Sequence, residues 1–205
     1  MPLDLLPAGF ESFMGDYRGP YRWRLSAWTD RATAYALGQL LPGARKSMQP
    51  MAARLHQIPY EVIQQFITDS PWDWESIQLQ TVDQVRDRVG GEDGLVNIDD
   101  TAFVKAGEHS VGVARQYCGQ LGKVANCQVG VACVYVRQHP ERSADAGVFP
   151  LLIQLYLPEQ WARDAKRRRK VRVPRAAKFR KKWEIALDLV DAVRERGLPR
   201  ASRRR

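Results

Sequence analysis

Residues 95–101 read LVNIDDT, a short apolar run that ends in two adjacent carboxylates, Asp99 and Asp100, followed by a hydroxyl residue. The turn-rich segment GGEDG precedes it, and apolar runs of this length between turn residues are typical of strands. A carboxylate at a strand end is held rigidly where a hard divalent ion can complete its coordination with water and phosphate oxygens. The alternative is that both aspartates cap a turn, where Asp is common.

Two further apolar runs follow, CQVGVACVYVR (127–137) and VFPLLIQLYLP (148–158). Together with LVNIDDT they predict three strands. The polar segment HPERSADAG between the second and third runs predicts a hairpin, so these two strands are expected to pair antiparallel. A final helix is predicted from an apolar seam made of Phe179, Trp183, Ala186, Val190 and Val193. Gly197 and Pro199 are expected to end this helix.

The chain upstream of these strands, from Ala27 to Val89, has helical periodicity. A first helix ends at Pro42 and Gly43, and the last ends at Gly90 and Gly91, with Ser70 as its expected N-cap and Pro71 at its first position. The tryptophans that start the last helix, Trp72 and Trp74, are expected to pack in a core. Two helices between are predicted from apolar stripes: Met48, Met51, Ala52 and Leu55, then Tyr60, Ile63, Phe66 and Ile67.

The composition favours a globular protein with a polyanionic partner. The 205 residues include 44% hydrophobic ones, and 32 Lys and Arg against 23 Asp and Glu give a net charge of +9. An anionic membrane is the competing partner, but no apolar run approaches 18 residues and no signal peptide is visible, so a soluble, cytoplasmic protein is expected. The three cysteines lack CxxC spacing and are expected to be reduced structural thiols, and the three histidines lie far apart.

Positive charge is concentrated between Arg163 and Lys182, where twelve cations stand against one acid, Asp164. Such a run can track a phosphate backbone, and the alternative is a solvated positive surface. The residues considered as candidate DNA contacts in this half of the chain are Arg115, Lys123, Arg167, Arg168, Arg169 and Lys170.

Long segments of the chain resemble one protein family. They are RKSMQPMAARL, TDSPWD, IDDT, HSVGVARQYCGQLGKVANCQV, YLPEQWARD and KWEIALDLV. Over about Ala27 to Val193 the sequence resembles the DDE transposases of bacterial insertion sequences, whose catalytic domain has the RNase H-like fold. The resemblance implies metal-dependent cleavage and transfer of double-stranded DNA at transposon ends, with Mg²⁺ or Mn²⁺ as the cofactor. It also implies a bacterial, nucleoid-associated location.

The same resemblance assigns roles to residues. It implies that Asp99 is the first catalytic acid and metal ligand, with Asp100 as the alternative. It implies that the N-terminal helices recognise transposon ends, with Arg45, Lys46 and Arg54 as candidate contacts. The family has a second aspartate on a strand after the last helix and a glutamate further on, whereas this sequence ends in GLPRASRRR, so a truncated copy is expected. Asp188 and Asp191 on that helix are expected to be solvated surface instead.

The expected fold is α+β or α/β, a helical N-terminal domain followed by an incomplete RNase H-like domain with a three-stranded antiparallel start and a helix. The expected boundaries are 1–92 for the DNA-binding domain, 93–197 for the partial DDE domain and 198–205 for a basic tail. Three hypotheses stay open: a transposase fragment, a non-catalytic DNA-binding competitor that forms homo-oligomers or pairs with a full-length enzyme, and a poorly folding pseudogene product.

Overall fold

The computed structural model describes residues 10–17, 26–43, 45–55, 58–70, 73–91, 93–137 and 147–198. The chain divides into two compact units, Met1–Gln80 and Thr81–Arg205, and the division falls inside the fifth helix. The architecture is mixed, with helices first and an antiparallel sheet with helices after them. The domain boundary expected at residue 92 stays a prediction.

The described part of the first unit is helical, as the periodicity predicts. It contains α1 (Phe10–Asp16), α2 (Ser26–Leu40), α3 (Met48–Leu55) and α4 (Tyr60–Asp69). The apolar stripes of α3 and α4 are confirmed, because each contributes two of the buried side chains of one core, Met51, Leu55, Ile63 and Phe66. None of the described helices of the chain is long and apolar enough to cross a membrane.

The fifth helix, α5 (Trp74–Val89), ends at the predicted glycine pair but begins differently from the prediction. The Asp73 carboxylate accepts hydrogen bonds from the backbone N–H of Ser76 at 3.1 Å and from its hydroxyl at 2.7 Å, so Asp73 caps this helix. Ser70 instead follows the end of α4. The packing expected for Trp74 is wrong, because its side chain is 57% exposed. Pro71 and Trp72 lie outside the described residues.

A four-stranded antiparallel sheet organises the second unit. Its strands are β1 (Leu95–Val104), β2 (Ala114–Cys118), β3 (Lys123–Arg137) and β4 (Gly147–Leu155). The long β3 lies in the centre, with β1 along one side. On the other side β2 pairs with the beginning of β3 and β4 with its end. The expected pairing of β3 with β4 is confirmed, while their connection at 138–146 lies outside the described residues.

Two features of the sheet correct the sequence-based prediction. The first strand does not end at Asp99, because all ten residues of β1 pair with the longer β3, and Asp99 is opposite Ala132 in the middle of the ladder. A fourth strand, β2, is present where only three were expected. Its pairing with Lys123–Cys127 extends the sheet at one end, beyond the segment that pairs with β4.

Three helices follow the sheet: α6 (Glu159–Arg163), α7 (Ala165–Lys170) and α8 (Lys182–Glu195). The last was predicted, and Gly197, with φ +82°, ends it as expected. The predicted apolar seam is right at Val193, which is buried, and wrong at Trp183, which is 58% exposed. Its other members, Phe179, Ala186 and Val190, are half-buried, and the fully buried residues of α8 are Ile185, Leu189 and Val193. These three side chains follow i, i+4, i+8 spacing, and α8 packs against β3 and β4.

Candidate functional site

Asp99 lies in the middle of β1 on an open face of the sheet. Side chains alternate between the faces of a strand, so Asp99 shares its face with Asn97, Thr101 and Phe103, all of them exposed. One carboxylate oxygen, Oδ1, accepts a hydrogen bond of 2.7 Å from the backbone N–H of Asp100. The carboxylate makes no ion pair within the described part of the chain. It is therefore oriented on one side and open to water on the other.

Asp100 points to the opposite face and has a different environment. Its Oδ2 accepts a hydrogen bond of 2.6 Å from Nζ of Lys182, the first residue of α8. That ammonium group also lies 5.2 Å from the centre of the Tyr156 ring. The contact places α8 on the face of Asp100, where Val129, Val131, Cys133 and Tyr135 of β3 are buried. Asp100 is thus neutralised by an ion pair, and Asp99 is not.

The two aspartates of α8, Asp188 and Asp191, are exposed and paired with arginines, as expected for solvated surface. Arg180 lies 2.5 Å from Oδ2 of Asp188, and its hydrogen bond lowers the pKa of that carboxyl. Asp191 lies 3.5 Å from Arg194. Across the described residues, no group of three or more His, Cys, Asp or Glu is arranged to hold a metal ion. Asp99 fits a metal as a single hard oxygen ligand that leaves most coordination positions to other donors.

The candidate cations of the first unit have different surroundings. Arg45 is exposed. Lys46 is exposed too, and its ammonium donates a hydrogen bond to the carbonyl of Leu41. Arg54 is half-buried and donates from Nη2 to the carbonyl of Arg45 at 3.0 Å, which ties α3 to the segment before it. Of these three side chains, Arg45 is the one most open to an external phosphate.

The four consecutive cations of α7 separate into two pairs. The guanidinium of Arg167 stacks on the buried Trp161 ring at 3.7 Å and donates to the carbonyl of Glu108 at 2.5 Å. That of Arg168 donates to the carbonyls of Ala162, Pro174 and Ala177 at 2.7–3.1 Å. The other pair, Arg169 and Lys170, is exposed. Two of the four cations thus hold the local fold, and two face the solvent.

Arg115 and Lys123 are both exposed, on β2 and at the start of β3. Arg115 pairs in register with Asn126, whose side-chain amide donates to the carbonyls of Lys105 and Gly107 and so holds the loop after β1. The sequence did not single out Lys182 as the partner of Asp100 or Trp161 as the platform for Arg167. Lys182 and Asp100 are 82 positions apart in the sequence. Trp161 and Arg167 are close in sequence, but they meet only because the chain turns between α6 and α7, and a local motif reveals neither contact.

Comparison with known proteins shows the family of this chain. Residues 24–202 match the model of a family described as DDE superfamily endonuclease, and the chain belongs to that family. Members of this superfamily act on DNA and generally use divalent metal ions.

A curated relative narrows the resemblance. The chain is 29% identical over 154 residues to the probable transposase for insertion sequence element IS701 of Microchaete diplosiphon. The matched region is 75% of this chain and 36% of that relative, so the chain spans about a third of the relative's length. No solved structure matches the chain at a significant level.

Proposed function

We propose that this chain carries the first acidic ligand of a metal-dependent DNA endonuclease that cuts and joins strands at the ends of an insertion sequence. The single observation that carries the proposal is the environment of Asp99. Within the family-matched region, this carboxylate is oriented by a backbone N–H, exposed on an open sheet face and free of ion pairing with the described cations. Asp100 is the weaker candidate, because metal binding there competes with Lys182.

The metal proposed for Asp99 is Mg²⁺ or Mn²⁺. When bound, such an ion polarises phosphate oxygens and activates a water or hydroxyl nucleophile. The part of Asp99 is to hold a hard cation with one negatively charged oxygen, while the Asp100 amide fixes the orientation of the carboxylate. Two-metal phosphoryl transfer needs several carboxylates. Asp99 lies on β1, which has one strand neighbour among the described residues, so its outer edge is open to further ligands.

The proposed substrate is double-stranded DNA with transposon-end sequences. The net charge of +9 attracts the phosphate backbone, and the exposed cations Arg45, Lys123, Arg169 and Lys170 are proposed to contact it. For Lys46, Arg54, Arg167 and Arg168, bonds to backbone carbonyls support a role in shaping the surface beside the DNA. A DNA substrate places the activity at the bacterial nucleoid, in the cytoplasm. We propose a homo-oligomer, because a reaction that joins strands at both ends of an insertion sequence brings two DNA ends together.

A second candidate function is DNA binding without catalysis, in competition with a complete transposase or in a pair with it. The observation in its favour is that Asp99 belongs to no group of three or more His, Cys, Asp or Glu residues that could hold a metal ion among the described residues. In this case the basic surfaces act as proposed above, and Asp99 contributes no cleavage.

A nicking assay separates the two candidates. A supercoiled plasmid that carries the terminal inverted repeat is incubated with the full chain in Mg²⁺ or Mn²⁺. Nicking that Asp99→Ala abolishes and the exposed-carboxylate control Asp191→Ala retains supports the endonuclease. Binding of the plasmid without nicking selects the second candidate. Nicking that survives Asp99→Ala, or that is lost only in Asp100→Ala, contradicts the assignment of Asp99.

A further inference from the structure

A basic cleft opens in the second unit, between the loop after β1, the strand β2 and the helices α6 and α7. Its volume is about 610 Å³. We call it the β2–α7 cleft, and the charged residues that line it are Glu108, Arg115, Asp164, Lys166, Arg167 and Lys170. Asp99 does not line this cleft, so it is separate from the proposed metal ligand.

The charges of the β2–α7 cleft favour an anion. Arg115, Lys166 and Lys170 are exposed and make no ion pair within the described part of the chain. The carboxylate of Asp164 is occupied by the backbone N–H of Arg167, at 2.8 Å, where it caps α7. This hydrogen bond leaves the charge of Asp164 in place, so the lining has two carboxylates, Asp164 and Glu108, against four cations, the three above and Arg167. The cleft therefore keeps an excess of positive charge that its own residues do not neutralise.

The wall of the cleft is rigid, which suits a site that fixes a ligand in position. Trp161 is fully buried and donates from Nε1 to the carbonyl of Val113 at 2.7 Å. Arg167 lies over its ring and bonds to Glu108, and so joins α7 to the loop after β1. The three exposed cations are thus attached to a wall that these contacts hold in place. Because they are open to solvent, the cleft can admit one segment of a long polyanion, such as a DNA strand.

The register of the sheet relates the cleft to Asp99. Arg115 is opposite Asn126 on β3, and Asp99 is opposite Ala132, six residues further along. Directly paired residues share a face, and positions an even number apart on a regular strand do too, so Arg115 and Asp99 lie on the same sheet face. At about 3.4 Å per residue, the two positions are separated by about 20 Å along β3. This equals the rise of about six base pairs of a duplex that lies along β3, at about 3.4 Å each.

We propose that the β2–α7 cleft binds a backbone phosphate of the DNA about six base pairs along the duplex from the phosphate that meets Asp99. The cleft acts as a ruler that sets which phosphodiester reaches the metal ligand. The proposal rests on the proposed function for the role of Asp99, whereas the phosphate site stands on the cleft alone. The contacts come from Arg115, Lys166 and Lys170, with Arg167 as the residue that positions them.

The phosphate site is tested by the salt dependence of binding to a random-sequence duplex in EDTA. Arg115→Gln, Lys166→Gln and Lys170→Gln together are expected to flatten the slope of log K against log salt by about 0.9, the value for the loss of one phosphate contact. The matched control Lys178→Gln removes an exposed cation that does not line the cleft and is expected to keep more of the slope. Lys170→Arg keeps the charge and the slope. A triple variant that melts like the wild type and retains its slope overturns the site.

The spacing is tested with tethered iron–EDTA, which cuts DNA near its attachment point. Asp99→Cys and Arg115→Cys proteins are labelled and bound to a duplex of the inverted repeat that flanks the gene; the three native cysteines are buried. The centres of cutting are expected to differ by about six base pairs along the duplex axis. Coincident centres, or an offset of more than about ten base pairs, contradict the ruler. Because neither test needs a bound metal, their failure is distinguishable from the loss of nicking in Asp99→Ala.

Discussion

Asp99 and Asp100 are neighbours in sequence whose side chains lie on opposite faces of β1. Asp100 faces α8 and is paired with Lys182, so it helps to attach the helix to the sheet. Asp99 faces solvent, with its orientation set by one backbone hydrogen bond. A carboxylate that is open to water loses little hydration free energy when it exchanges water for a hydrated metal ion. Metal binding at Asp100 costs more free energy, because the ion pair with Lys182 must first be broken.

The arginines of α7 show that a run of cations need not act as a unit. Arg168 is half-buried and donates to three carbonyls, two of them in the loop at 171–181 that leads to α8. Removal of the guanidinium leaves those acceptors without a partner. Arg169, one residue later, is exposed. The two residues therefore form a matched pair with the same charge and different surroundings.

Arg168→Gln is expected to lower the free energy of unfolding by about 1–3 kcal/mol, because charge-assisted hydrogen bonds to the loop are lost. Arg169→Gln is expected to change it by less than about 0.5 kcal/mol, as for most surface substitutions. Urea denaturation measures both values. Hydrogen exchange should also speed up at residues 171–178 in the Arg168 variant alone. Equal effects of the two substitutions would refute the structural role of Arg168.

At the scale of elements, β3 determines the geometry of the second unit. It is fifteen residues long and pairs with all three other strands, so its length decides where β1 ends. The residues on one of its faces, Cys127, Val129, Val131, Cys133 and Tyr135, are all buried. Tyr135 also closes the turn before β1, where its hydroxyl accepts from the Gly91 N–H at 2.9 Å. The buried face of β3 is thus the centre of this unit's packing.

The cysteines report directly on that packing. Cys118, Cys127 and Cys133 are fully buried, and burial raises the pKa of Cys133 to about 12 and that of Cys127 in the same direction. The reactive thiolate of Cys127 and Cys133 is therefore scarce at pH 8, and all three sulfur atoms are shielded from solvent. We expect Ellman's reagent to detect no fast-reacting thiol in the folded chain and three after unfolding in urea. A Lys178→Cys variant should add one fast-reacting thiol. Rapid reaction of a native cysteine in the folded chain would contradict the burial of these three residues in the sheet.

How much of these elements the sequence predicts depends on their length and partners. The helices α2 to α5 and the strands β1, β3 and β4 are long enough for a period to be visible. The strand β2 is five residues long and contains Arg115 and Gln116, so it has no apolar pattern of its own and exists through pairing with β3. The helices α6 and α7 are equally short. In α8 the apolar pattern favours Trp183 over Ile185 as a core residue, because Trp183 is larger. Packing against the sheet buries Ile185 instead.

The candidate site was predictable to a similar extent. The motif IDDT identifies the acidic pair, but its two members look equivalent until the register of β1 and β3 assigns them to opposite faces. The charge run identifies a basic region, but which of its arginines bond to carbonyls depends on a loop and a tryptophan elsewhere in the fold. Local sequence specifies residue types, and tertiary pairing decides which of them remain available to a ligand.

At the scale of the whole molecule, the chain has an excess of cations over acids, 32 Lys and Arg against 23 Asp and Glu. Asp99 and Arg115 share a sheet face, and α8 occupies the other, so the proposed ligands approach from one side. The open face also carries exposed apolar residues, Phe103, Ile153 and Leu155. The central claim of this arrangement is that a divalent cation binds at Asp99.

Paramagnetic broadening by Mn²⁺ tests that claim most directly, since it locates the ion without any need for catalysis. In an NMR titration with substoichiometric Mn²⁺, the amide signals of Asn97 to Thr101 and of Ala132, opposite Asp99, should broaden first. Asp99→Asn should remove this broadening, while Asp191→Asn, on the exposed face of α8, should leave it unchanged. Broadening around β1 that persists in Asp99→Asn, or that is centred on another carboxylate from the start, would contradict the account.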